Sequence, residues 1–273
     1  MKRALHVVSG ILGATRPQPT PNSGQVARAL SFALLLAGTL LLPTSVRGTS
    51  VVALIDKTNH LLVIAADCRV NRPVNSISKC KIIEEPGCTV AIAGLYQEGE
   101  TKFDLRRLVA AACQYSGDLR DKADAFLRFA RKPYEAAVRH IRNTDPSEFN
   151  RTIQGKPTEV IFAGLLRGHL TLLMRGLVSG PKGEITAERS ESADATNSSL
   201  GYFVGLNRHI REYVTSPGAL ERLGYREAAR RFVETEISAN PDLAGPPISE
   251  LEIDDRGTVH WISRGACEGR EAD

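Results

Sequence analysis

The first half of the chain alternates between long apolar runs and short polar breaks. Residues 50–56 and 61–66 are apolar and rich in β-branched side chains, and the polar stretch 57–60 separates them. This pattern predicts a β-hairpin, and the unbroken apolar character predicts strands that are buried on both faces. Two more strands are predicted near 79–84 and 88–94.

A helical period replaces this pattern after Gly99. Apolar residues then recur every three or four positions, which predicts one helix beginning near Gly99 and a second from Leu119 to Arg142. Later elements follow in this order: strands at 158–164 and 169–176, a polar loop at 179–198 with a short strand at 184–188, a strand at 200–205, helices at 206–214 and 218–238, and a strand pair at 248–253 and 258–262.

Groups of strands therefore alternate with pairs of helices. Short strands in hairpins favour antiparallel pairing, and amphipathic helices must bury their apolar stripe against a sheet. The expected fold class is α/β (α+β), a four-layer αββα sandwich in which two stacked, mainly antiparallel sheets are flanked by helices.

The first 48 residues have a different character. Residues 1–28 are rich in Pro, Gly, Ser and Thr, and 29–42 form an apolar run. That run is shorter than the roughly 20 residues that span a bilayer, but it has the length of a secretory signal core. We interpret 1–48 as a signal peptide or propeptide that is removed between Gly48 and Thr49. The domain would then cover 49–263, followed by a C-terminal tail at 264–273.

Composition limits the function classes only mildly. The net charge is +4, and no dense basic run indicates a nucleic-acid partner. Five cysteines without CxxC spacing argue against a zinc site, and their odd number leaves at least one thiol unpaired. If the signal is functional, the protein is exported to a periplasmic or extracellular space, and otherwise it is cytoplasmic. No stable membrane span is expected.

Removal of residues 1–48 would create a catalyst at Thr49. A threonine hydroxyl is a weak nucleophile, but a free α-amine on the same residue has an unperturbed pKa of about 7.7–8.0 and can accept its proton. A nearby lysine would lower the pKa of that hydroxyl, an aspartate would hold the lysine, and a backbone N–H would stabilise the oxyanion.

Four segments in order carry a family resemblance. They are Gly48-Thr49-Ser50-Val51-Val52-Ala53, Val63-Ile64-Ala65-Ala66-Asp67-Cys68-Arg69, Ser78-Lys79-Cys80-Lys81-Ile82-Ile83 and Ala91-Ile92-Ala93-Gly94-Leu95. Together they resemble the first half of a proteasome β subunit, a threonine-type N-terminal nucleophile (Ntn) hydrolase. The resemblance extends over about 215 residues, to Ser263.

The resemblance implies a role for each matching residue. Thr49 matches the nucleophile, Asp67 the aspartate that orients the catalytic lysine, and Gly94 the oxyanion donor. Lys81 is the best match for the lysine because it directly precedes an apolar strand, and Lys79 is the alternative.

The second half resembles the family less closely. Ser198 best fits a supporting serine of the family, with Ser199 as the alternative. Asp242 matches the aspartate of the family's Asp-x-x-Ser-Gly-Gly stretch. Gly245 stands where the family has serine, which is a departure from that pattern.

The expected function is hydrolysis of peptide bonds through an acyl-enzyme on Thr49, without a metal or organic cofactor. The resemblance implies peptide or unfolded-protein substrates, and it leaves open whether the chain assembles into a homo-oligomeric ring. Two other interpretations stay open: a catalytically silent structural subunit of the same fold, and an amidase that acts on a small acylated molecule.

Overall fold

The computed structural model describes residues 49–71, 76–193, 201–210 and 219–267. Two five-stranded antiparallel sheets dominate these residues. The first sheet contains, in spatial order, β12 (Gly201–Gly205), β1 (Ser50–Asp56), β2 (Leu61–Asp67), β13 (Ile248–Ile253) and β14 (Val259–Ser263). The second contains β11 (Ile185–Ala193), β10 (His169–Ser179), β9 (Pro157–Leu166), β6 (Cys88–Ala93) and β5 (Ile82–Glu85).

Two short hairpins and several helices complete the described fold. The hairpins pair β3 (Arg69–Asn71) with β4 (Ser76–Ser78) and β7 (Gln97–Glu98) with β8 (Phe103–Asp104). The helices are α1 (Leu105–Cys113), α2 (Leu119–Thr144), α3 (Pro146–Glu148), α4 (Ala219–Leu223) and α5 (Tyr225–Ala239), with a π-helix at Phe149–Ile153 and a 3₁₀ turn at Gly265–Cys267. Residues 208–210 are also helical.

Three layers of apolar contact show how the elements stack. In β1, Val51, Ala53 and Ile55 pack between the two sheets. Val52 and Leu54, which point to the opposite face, pack with residues of α4 and α5. The outer face of the second sheet packs against α1 and α2. The predicted four-layer αββα sandwich is therefore confirmed, and β1 and β2 are buried on both faces as the apolar runs indicated. Across the described residues, no helix combines the length and the apolar character needed to cross a membrane.

Four sequence-based boundaries were wrong. The helix predicted from Gly99 begins only at Leu105, because Asp104 caps it by accepting the Arg107 N–H, and 97–104 form a hairpin instead. The strand predicted near 79–84 begins at Ile82. The helix predicted at 218–238 is divided at Gly224, which adopts a φ of +74°.

The fourth error lies in the segment 179–198, which was predicted as a polar loop with a short strand at 184–188, whereas the observed strand extends to Ala193. This segment contains β11, which pairs along nine positions of β10. This strand lies at the edge of its sheet, so many of its side chains face solvent and the sequence lacks an apolar run. Residues 211–214 of the helix predicted at 206–214 lie outside the described residues.

Two disulfides connect distant parts of this domain. Cys80 is bonded to Cys267, and Cys88 to Cys113, while Cys68 is a buried free thiol. The first disulfide joins the residue before Lys81 to the 3₁₀ turn after β14. Its cysteines are 187 residues apart in the sequence, whereas those of the second are 25 apart.

We expect the Cys80→Ala/Cys267→Ala double variant to be the less stable of the two disulfide knockouts. Loop-closure entropy grows with loop length, so its free energy of unfolding should fall by about 2–5 kcal/mol. The Cys88→Ala/Cys113→Ala control should lose about 2 kcal/mol less. Urea denaturation of both variants measures the difference, and a larger loss in the control would contradict this prediction.

Candidate active site

The centre of the candidate site is the fully buried carboxylate of Asp67, at the carboxyl end of β2. Its Oδ1 accepts the Ser50 N–H at 2.7 Å and the Lys81 ammonium at 2.9 Å. Its Oδ2 accepts the Arg69 N–H at 3.1 Å and the Gly245 N–H at 3.2 Å. A buried carboxylate is costly unless it is hydrogen-bonded and paired, and here four donors satisfy it.

Lys81 is the lysine that reaches this carboxylate. Only 1% of its side chain is exposed, and its carbonyl accepts the Ile92 N–H at 3.0 Å, which fixes the backbone beside β6. Burial lowers the pKa of Lys81 from its ordinary value, and the Asp67 carboxylate opposes that shift. The ammonium of Lys79 lies instead over the Tyr96 ring, 5.8 Å from its centroid.

Thr49 is buried directly before β1. Its carbonyl accepts the Leu206 N–H at 2.6 Å, which anchors it to the end of β12. The next residue, Ser50, donates its N–H to the same carboxylate oxygen that holds Lys81. The fold therefore brings Thr49 and the Lys81 ammonium to one end of the sandwich.

Gly205 connects Thr49 with the second sheet. A Cβ at Gly205 would lie only 1.9 Å from the Thr49 carbonyl oxygen and 3.4 Å from the Ala93 Cβ. The Gly205 N–H is 3.2 Å from Oε2 of Glu159, a β9 residue that pairs with Ala93. This close packing places the end of β6, and hence Gly94, beside the Thr49 backbone.

Gly94 turns the chain at the end of β6. Its φ is +106°, and a Cβ there would lie 2.7 Å from the Thr158 Cα, so only glycine fits. The following Leu95 N–H donates to the Thr158 hydroxyl at 3.0 Å, which holds the turn in place. A fixed turn at this position can present a backbone N–H toward a substrate carbonyl.

The loop that contains Gly245 also packs against Asp67. The Gly245 carbonyl accepts the Cys68 N–H at 3.3 Å, and the Arg69 guanidinium donates to the Pro241 carbonyl. Asp242 lies in this loop with an exposed side chain. Ser198 and Ser199, the serines of the sequence-based assignment, lie outside the described residues.

Sequence reasoning missed four backbone contributions to the site: the close approach at Gly205 and the N–H groups of Ser50, Arg69 and Gly245. No family model matches this chain, and no curated protein is significantly similar to it. The arrangement itself combines a hydroxyl-bearing residue, a buried ammonium and a carboxylate that orients the ammonium. Such a set can activate a nucleophile and stabilise developing negative charge.

We expect Gly205→Ala to reduce activity by at least about 100-fold, since a 1 Å displacement of a reacting group already costs about that much. The new methyl group would collide with the Thr49 carbonyl oxygen and displace Thr49. Gly87→Ala is the matched control, because Gly87 also has a positive φ (+67°) but has open space around its Cβ position. Peptide-cleavage assays of both variants test this, and equal activity in the two would contradict it.

Proposed function

We propose that residues 49–263 form a threonine-type Ntn hydrolase of the proteasome β-subunit kind, which cleaves peptide bonds with Thr49 as nucleophile. One observation carries this proposal: Asp67 Oδ1 accepts both the Lys81 ammonium and the N–H of the residue that follows Thr49. The proposal also draws on the four sequence segments that resemble this family.

In the proposed reaction, the Thr49 α-amine accepts the proton of its own hydroxyl, directly or through a water. The hydroxyl oxygen attacks the substrate carbonyl carbon. The positive charge of Lys81 stabilises the forming alkoxide, and Asp67 keeps the ammonium in place. The Gly94 N–H donates to the oxyanion.

Collapse of this intermediate breaks the amide bond, and the Thr49 ammonium protonates the leaving amine. An ester between Thr49 and the acyl part of the substrate remains. Water then attacks the ester with the Thr49 amine as general base, which releases the acid product and restores the free hydroxyl. The proposal requires no metal or organic cofactor.

The proposal requires that the chain begin at Thr49, because a peptide nitrogen is not basic. We expect the active protein to lack residues 1–48, so its N-terminal residue should be Thr49. Intact-mass measurement and N-terminal sequencing of protein from its native host test this. An active preparation in which every chain retains Gly48 would exclude the mechanism.

A further inference from the structure

A long groove lies beside β5, which is the last strand of the second sheet among the described strands. Its volume is about 1140 Å³, larger than most small-molecule pockets, and it is lined by residues of β5, β14 and α1. Neither Thr49 nor Lys81 lines it. We call it the edge groove.

Four arginines line the edge groove on two sides. Arg106 and Arg107 lie on α1, which packs against the outer face of the second sheet. Arg256 and Arg264 lie at the two ends of β14, which belongs to the other sheet. Within the described part of the chain, none of these guanidinium groups is paired with a carboxylate, although Arg264 lies over the Trp261 ring at 5.2 Å.

Two of the three carboxylates that line the groove accept hydrogen bonds from neutral groups. Glu84 accepts the Trp261 Nε1–H at 2.6 Å, and Asp104 caps α1 and accepts the side-chain amide of Gln97. Glu85, at the turn after β5, is the third carboxylate of the lining. Neutral donors leave these carboxylates charged, but the lining holds five cationic side chains, Lys79 and the four arginines, against three carboxylates, which is a formal excess of two positive charges. Guanidinium groups bind carboxylates with paired hydrogen bonds.

The backbone of β5 adds a second recognition element. One side of β5 pairs with β6, and its other side has no partner strand among the described strands. An open sheet edge presents N–H and C=O groups that can pair with an extended chain. Successive residues of such a chain would point alternately to the two sides of the sheet, toward Arg106 and Arg107 or toward Arg256 and Arg264.

We propose that the edge groove binds an extended acidic peptide segment, which adds to β5 as a further strand and places its carboxylates on these arginines. Lys79 and the Cys80–Cys267 disulfide also line the groove, and Lys79 and Cys80 directly precede Lys81 in the chain. The bound segment therefore lies close to the candidate active site without occupying it. This binding does not depend on the proposed catalytic activity and can be measured with the Thr49→Ala protein.

The test is fluorescence anisotropy with a labelled peptide in which glutamate alternates with threonine. Either register of this peptide presents its glutamates to two of the arginines. We expect saturable binding that weakens as salt rises, and at least about tenfold weaker binding of the same peptide with lysine in place of glutamate. Equal affinity for the acidic and basic peptides would overturn the proposal, as would no binding of the acidic peptide.

Two further comparisons separate the parts of the proposal. The Arg106→Gln/Arg256→Gln variant removes one arginine from each side of β5, so either register of the peptide loses one ion pair. Binding of the acidic peptide should weaken by up to about fivefold, the contribution of one exposed ion pair. The control with the same net charge is Arg139→Gln/Arg230→Gln, whose arginines are exposed on α2 and α5. Equal affinity in the two double variants would disprove the arginine contacts. Circular dichroism of both establishes that they are folded.

Strand addition is tested with the same acidic peptide carrying an N-methyl group on every residue. This peptide keeps its charge but has no backbone N–H on either edge, so it cannot pair with β5 in any register and should lose binding. If it binds as tightly as the parent, the segment does not pair with β5 and the proposal is wrong.

Discussion

Replacing Thr49 with alanine is expected to abolish peptide cleavage, with a loss of turnover of about 10⁴-fold or more, because the attacking oxygen is removed. The fold should survive, since Thr49 is held through its carbonyl, which accepts the Leu206 N–H. The variant should be produced with its chain beginning at residue 49, so that failure of processing cannot explain the loss. A fluorogenic peptide panel and a thermal melt measure the two quantities.

Ser50→Ala is the matched control for this substitution. The Ser50 hydroxyl is buried and has no hydrogen-bond partner within the described residues, and its contact with Asp67 uses the backbone N–H. Its loss should leave turnover within about twofold of wild type, and Thr49→Ser should retain partial activity. Wild-type turnover in Thr49→Ala would exclude Thr49 as the nucleophile.

The two strands that lead to the site, β1 and β2, could be predicted because nearly all of their residues are apolar. Apart from Ser50, Asp56 and Asp67 at their ends, β1 and β2 consist of apolar residues, because both faces of each strand are buried. β11 has no such pattern, because an edge strand with a solvent-facing side needs few apolar residues. The β7–β8 hairpin was read as helix because Phe103 and Leu105 are buried in the same core as the true helical stripe.

The sequence favoured Lys81 over Lys79 only because Lys81 directly precedes the apolar residues of a strand. The two lysines are two residues apart, and an apolar strand follows either of them within a few positions. The three-dimensional structure separates them, because burial and the hydrogen bond to Asp67 belong to Lys81. Residue spacing alone does not determine the direction of a side chain where a strand begins irregularly. It therefore does not predict which partner that side chain contacts.

A comparison of residue types could not predict the backbone hydrogen bonds of the site either. Gly245 was noted as a missing serine, yet the structure uses its N–H and C=O, which any residue could supply. The same is true of Ser50, which contributes an N–H and not its hydroxyl. Side-chain patterns therefore selected Thr49, Asp67 and Lys81, which the fold brings to one end of the sandwich, whereas the backbone groups that hold Asp67 are seen only in the three-dimensional structure.

Breaking the ion pair between Lys81 and Asp67 is expected to remove both activity and much of the stability. Asp67→Asn should lower the free energy of unfolding by about 3–5 kcal/mol, because it leaves the Lys81 ammonium buried without its counter-charge. The amide nitrogen of the new side chain would also replace one carboxylate oxygen. It would then face two hydrogen-bond donors, either on the Oδ1 side with Ser50 or on the Oδ2 side with Gly245, and could accept from neither. Turnover should fall to background, because Lys81 is no longer held beside Thr49.

Lys81→Met should abolish turnover too, but with a smaller loss of stability. Asp67 would keep its three backbone donors, from Ser50, Arg69 and Gly245, so its charge would stay hydrogen-bonded. Lys79→Met is the control: it removes the same charge two residues earlier, from a side chain that is only half-buried. It should retain near-normal turnover.

The double variant Lys81→Met/Asp67→Asn decides whether the two residues act as one unit. Its turnover should be no lower than that of either single variant, and its stability should exceed the additive expectation by about 0.5–3 kcal/mol, because no uncompensated charge remains. Urea denaturation and steady-state kinetics of the three variants complete the cycle. If the two losses of unfolding free energy were additive, and the double variant turned over more slowly than either single variant, Lys81 and Asp67 would act independently. If Lys79→Met were inactive and Lys81→Met active, the catalytic lysine would be Lys79, because loss of the buried ammonium of Lys81 would have left turnover unchanged.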